Sequence, residues 1–90
     1  MKLHIQIEQV RETVEVRDAA EALSRFKKEA AKRAPFMLRP VVNAMSDMSF
    51  AAEAVKRDNA RSGRQDAAPK NAQEFLDWAV ARGYVTIEGP

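Results

Sequence analysis

Apolar and polar residues alternate in LHIQIE. Leu3, Ile5 and Ile7 face one way and His4, Gln6 and Glu8 the other, the two-residue period of a strand with one buried face. The alternation returns in TVEVR, where Val14 and Val16 oppose Glu15 and Arg17. The intervening QVRE has neither Asn-Gly nor Asp-Gly, so a hairpin closed by a longer loop or a bulge is predicted in place of a two-residue turn.

From Asp18 the period becomes helical. Asp18 and Glu21 have capping-box spacing, and Ala19, Ala22, Leu23, Phe26, Ala30 and Ala34 follow as one apolar stripe. Arg25, Lys28 and Lys32 fall on the solvent side, and Glu29 is spaced to pair with Arg33. Pro35 ends this helix, because it disfavours helical geometry at the residue before it and lacks an amide hydrogen.

After the connector FMLR, Pro40 suits a helix start, and Val41, Val42, Met45, Met48, Ala52 and Val55 continue a three-and-four spacing. The unbroken stripe predicts one helix to about Ser62 with Gly63 as its left-handed cap. Ser46, Asp47 and Ser49 are competing N-caps that would divide it in two. GRQDAAPK, residues 63–70, is a loop. Asn71 and Glu74 then open a short helix with Phe75, Leu76, Ala79 and Val80 on its apolar face and Gly83 as its terminator. YVTIE closes with Val85 and Ile87 on one side of a third strand. The expected architecture is α+β: an N-terminal β-hairpin and a C-terminal strand in a three-stranded antiparallel sheet, with about three helices on one face, all within residues 1–90 as a single small domain. His4, Gln6, Glu15 and Arg17 are placed on the uncovered face.

Composition narrows the function more by exclusion than by assignment. The chain has 90 residues and no cysteine, so neither a disulfide nor a thiolate metal site is available, and a small core must hold the fold. No apolar run approaches the roughly 20 residues that span a bilayer, and the strand pattern of MKLHIQIEQ is not that of a secretory leader. The expected location is cytoplasmic, with no membrane partner. The net charge of +2 is unevenly spread, with residues 24–70 basic and both flanks acidic.

No catalytic constellation emerges. His4 is the single histidine, no serine stands in a nucleophile elbow, and Gly63, Gly83 and Gly89 are too isolated to cradle a phosphate. The reading is therefore non-enzymatic, with no cofactor and no metal. Two aromatic residues stand out instead. At about 100° per residue Phe50 lies opposite the Val41, Met45, Met48, Ala52 stripe, toward Arg57 and Arg61, while Trp78 projects off its own stripe beside Arg82. Aromatic and arginine side chains together are the types enriched at binding hot spots. These observations predict a protein-interaction module that uses Phe50, Arg57, Arg61, Trp78 and Arg82 on a partner protein or a second copy of itself. The alternative is nucleic-acid binding through the basic block, with Lys56, Arg57, Arg61, Arg64 and Lys70 on phosphates.

Overall fold

The computed structural model describes residues 1–7, 10–33 and 36–88. Strands β1 (Lys2–Ile7), β2 (Val10–Glu15) and β3 (Val85–Glu88) form an antiparallel sheet in the order β2-β1-β3. Between β2 and β3 run α1 (Ala19–Arg33), a 3-10 turn (Phe36–Leu38), α2 (Arg39–Ala44), α3 (Asp47–Ser62) and α4 (Ala72–Ala81). This is the α+β architecture that the periodicity predicts. One face of the sheet supplies Leu3, Ile5, Val14 and Val85 to a core completed by Leu23 and Phe26 of α1, Ala51 and Val55 of α3, and Phe75 and Leu76 of α4. On the opposite face His4 ties the three strands together. Its Nδ1 lies 3.0 Å from the Thr13 hydroxyl and its Nε2 2.9 Å from Glu88 Oε2, which holds the Glu88 carboxyl below its usual range.

β2 begins earlier than the alternation indicates. Val10, Arg11 and Glu12, expected in the connector, pair with Ile7, Gln6 and Ile5. Glu8, predicted in the first strand, and Gln9, predicted in the connector, lie outside the described residues. Glu12 is the physical reason for the discrepancy. Opposite Ile5 it takes a position on the helix-covered face, and a charge there interrupts the alternation that marks a half-buried strand.

Residues 40–62 form two helices, not one. Met45 leaves the helical region (ψ 144°), and Ser46 is extended (ψ 159°) with its Oγ accepting the Ser49 amide hydrogen at 3.1 Å. A serine side chain that satisfies an early amide offers the backbone an alternative to continuing the helix, and here it prevails over the apolar stripe. The break changes which residues are covered. α3 buries Ala51, Val55 and Asp58, whereas α2 buries none of its residues and leaves Val41 58 % exposed.

The other caps follow the predicted logic with small changes of partner. The Glu21 amide donates to Asp18 Oδ1 at 2.9 Å, but the Glu21 carboxylate accepts from Arg17 instead of reaching back to the cap. Arg33 pairs with Glu29 at 2.6 Å; Ala34, predicted in the α1 stripe, and Pro35, predicted to end the helix, lie outside the described residues. Asn71 Oδ1 accepts from the Glu74 amide at 2.8 Å, and the Glu74 carboxylate takes the Lys70 amide hydrogen at 2.9 Å. Gly63 caps α3 at φ 78°. Gly83, also at φ 78°, closes α4 in a Schellman arrangement, its own amide bonded to Val80 and the Tyr84 amide to Ala79. That turn folds Tyr84 back beside α4. Trp78 is thereby half-buried, while Val80, expected on the apolar face, is exposed.

Replacing Ser46 with Ala is expected to lower the unfolding free energy by about 1 kcal/mol, the usual cost of a lost N-cap, as read from urea unfolding. An unchanged midpoint would assign the helix break to the Met45 turn alone.

Candidate functional site

The helices meet one another through rings. Phe75, buried on α4, has its ring centroid 5.8 Å from Phe26 of α1, 6.3 Å from Phe50 of α3 and 5.7 Å from Trp78 one turn further along α4. Trp78 in turn meets Tyr84 at 5.7 Å. Edge-on and tilted contacts of this kind are favourable by about 0.5–1.5 kcal/mol each, yet rings that meet at such angles leave space between their helices. The space is an open cleft of about 370 Å³. Ile5 and Ile7 of β1 line it from the sheet, Ala30 from α1 and Ala54 from α3. Its small alanines make room where larger side chains would fill it.

Phe50 enters this cleft for a reason of phase. Within α3 the buried face is Ala51, Val55 and Asp58, and Phe50, Ala54, Arg57 and Arg61 fall along one flank of it at helical spacing. The ring is half-buried, packed against the core on one side and lining the cleft on the other. The arginines stand at the rim with partners. Arg57 Nε is 3.2 Å from Glu53, Arg33 Nη1 is 2.6 Å from Glu29, and Arg61 Nη2 is 3.5 Å from Asp58 Oδ1. The Arg33 hydrogen bond holds the Glu29 carboxyl below its ordinary range.

Asp58 is the most deeply buried charged group described, with 6 % of its surface exposed. The Tyr84 hydroxyl donates to its Oδ1. That hydrogen bond, with burial, raises the pKa of the phenol above its ordinary 10.0. Asp58 Oδ2 is buried and has no hydrogen-bond partner. Glu12 Oε2 is in the same condition, and both residues line the cleft.

A second carboxylate has a different role. Asp66, in the loop between α3 and α4, accepts from Trp78 Nε1 at 3.0 Å and from Arg82 Nε and Nη2 at 3.0 and 2.9 Å. Its backbone is held by the Asn59 side-chain amide at 2.9 and 3.1 Å. This bracket fixes the rotamer of Trp78 at the cleft wall and binds the loop to both helices.

The sequence-predicted residues thus divide. Phe50, Arg57, Arg61 and Trp78 are brought together on one cleft, whereas Arg82 is turned to Asp66 and does not line it. Lys56, Arg64 and Lys70 are exposed and stand outside the lining. Glu12, Asp58 and Tyr84 were not singled out by pattern, and Phe75 was read only as part of the apolar face of its helix. Asp58 carried a signal, since it lies three residues beyond Val55 and seven beyond Ala51, on the face that α3 buries once the helix starts at Asp47. Among the described residues no helix is long and apolar enough to cross a membrane, and no group of three or more His, Asp or Glu is placed to hold a metal ion. No protein-family model matches the chain, nor does a curated protein or a solved structure.

Tyr84 is the single tyrosine, so its ionisation can be followed by ultraviolet absorbance without interference. The midpoint is expected above 10.0, and Asp58→Asn should bring it down toward that value. Because the folded-state pKa is raised, this contact stabilises the fold fully below the ordinary phenol pKa and loses its contribution as the pH rises through the folded one. Tyr84→Phe should flatten that alkaline decline.

Proposed function

We propose that the chain is a non-enzymatic protein-interaction module whose cleft takes apolar side chains from a partner polypeptide. The observation that carries this reading is the convergence of Phe50 and Trp78, from separate helices, on one open apolar cavity of about 370 Å³ with three arginines at its rim. An aromatic pocket ringed by charged groups is the arrangement in which a few inserted side chains supply most of the binding energy. The intramolecular pairing of the rim arginines supports the same reading. Held on Glu29, Glu53 and Asp58, they are pre-organised, so less side-chain entropy is lost when a partner covers them.

The occupant is read as a polypeptide segment of a different protein or of a second copy, since Met37, Leu38 and Val41 stand exposed on the 3-10 turn and α2 as an apolar element one copy can present to another. The alternative, nucleic-acid binding, is favoured by one observation. Lys56, Arg64 and Lys70 are exposed, and no ion pair involves them among the described residues. In that case association with DNA or RNA would weaken steeply with added salt.

Peptides selected from a random-sequence display library against the folded protein test the main reading. They are expected to carry adjacent large apolar residues and to shift the Trp78 indole resonance in NMR spectra. Ala30→Leu, which fills the cleft from α1 without removing a core side chain, should weaken them about tenfold or more while leaving thermal stability near wild type. Selected peptides indifferent to Ala30→Leu would place the interaction elsewhere, and sedimentation at two concentrations would reveal a dimer if a second copy is the occupant.

A further inference from the structure

The rim of the cleft carries three ion pairs, and in each the cation is the more exposed partner. Arg57, Arg33 and Arg61 expose 74, 45 and 60 % of their side chains, whereas Glu53, Glu29 and Asp58 expose 40, 15 and 6 %. Glu29 is shared with Lys32 as well, so one recessed carboxylate serves two cations. A molecule approaching from solvent therefore meets positive groups first.

These pairs leave donors over. Arg57 is engaged through Nε and Arg33 through Nη1, so both Nη groups of Arg57 and the Nε and Nη2 of Arg33 have no hydrogen-bond partner among the described residues. A guanidinium offers five N–H donors in a planar fork and can accept a second carboxylate without releasing the first. The acidic Glu12 lines the cleft from β2, while Arg33 belongs to α1 and Arg57 and Arg61 to α3. The cationic side of the opening is the helical side.

Resting on the interaction reading above, we propose that the cleft takes an acidic segment of a different protein: its apolar side chains lie against Phe50 and Trp78, and flanking carboxylates accept from the outward N–H groups of Arg57 and Arg33, with Arg61 adding its charge. The same charges set aside this chain's own apolar ridge. Met37, Leu38 and Val41 are exposed, but Arg39 stands among them, and residues 30–46 contain no acidic side chain. A second copy would bring that arginine to a rim of arginines, and like charges across an interface oppose association. Phosphates of a nucleic acid would answer the rim alone. The polar edges of its bases would go unpaired in a cavity lined by rings, isoleucines and alanines.

The test uses the whole chain, isotope-labelled, and three synthetic peptides that share a leucine pair and are flanked on both sides by glutamate, glutamine or lysine. The glutamine peptide is expected to shift resonances of Phe50, Ala54 and Trp78, which reports the apolar cleft alone. The glutamate peptide should bind the same residues about tenfold more tightly, the scale of two or three partly exposed ion pairs together, and the lysine peptide more weakly than either. Added salt should shrink the glutamate advantage. Arg57→Gln combined with Arg33→Gln should abolish it and leave the glutamine peptide unchanged. Lys56→Gln removes one exposed charge beside Arg57 but outside the lining, and should preserve most of the advantage. A peptide of residues 37–44, MLRPVVNA, should bind no better than the glutamine peptide.

Equal binding of the glutamate and glutamine peptides, or an advantage that Lys56→Gln lowers as much as the double arginine variant does, would overturn the acidic assignment and leave the apolar cleft standing. Binding of MLRPVVNA as tight as that of the glutamate peptide would give the cleft to a second copy. A single-stranded oligonucleotide that displaces the glutamate peptide at equal concentration would give the rim to nucleic acid. Failure of the glutamine peptide to reach the cleft would remove the interaction reading on which the assignment rests.

Discussion

The Phe75 ring is the contact on which the arrangement of helices depends. It touches Phe26 of α1, Phe50 of α3 and Trp78 of its own helix, so three helices that share no disulfide are held through one side chain. Truncating a buried aromatic of this kind typically costs about 3–5 kcal/mol, a large share of what a small domain has in reserve. The same contact explains why the protein has a cavity at all. Rings meeting at 59° and 72° set their helices apart, and the alanines beside them are too small to close the gap. Stability and the candidate site therefore have one origin.

Two aspartates divide the remaining work. Asp66 is surrounded by donors, two from Arg82, one from the Trp78 indole and one holding its backbone, and it locks a loop without regular structure onto α3 and α4. Such a carboxylate stabilises because its hydrogen-bonding capacity is used. Asp58 is more deeply buried and less well served, with Tyr84 and Arg61 on one oxygen and nothing on the other. Leaving a buried acceptor unpaired costs about 1–3 kcal/mol.

The sheet contributes to the site from an edge. β2 has one neighbour, and its inward Glu12 does double duty. An inward charge on an edge strand discourages pairing with another chain's strand, and the same charge stands at the border of the cleft. The outer face is unrelated to this chemistry. There His4, Thr13 and Glu88 form a polar crossbrace that stitches β2, β1 and β3 together.

Much of the fold was legible because it depends on short-range physics. Alternation identified β1 and β3, and Asp18, Asn71, Gly63 and Gly83 marked helix ends, whereas Phe50, expected opposite the apolar stripe, is half-buried and packs against the core. Where pattern failed, a single polar side chain competed with it. Ser46 broke the 40–62 helix by capping from within, and Glu12 concealed the first half of β2 by standing where a valine or isoleucine was expected. What the chain by itself determined is thus its elements and most of their ends, since caps and periodicity act over a few residues. Only tertiary structure decided that Phe50 and Trp78 would face one another's helices across a cavity, that Arg82 would be spent on Asp66, and that Glu12 and Asp58, 46 positions apart, would open onto the same space. Those outcomes depend on how helices pack around Phe75, which no local pattern encodes.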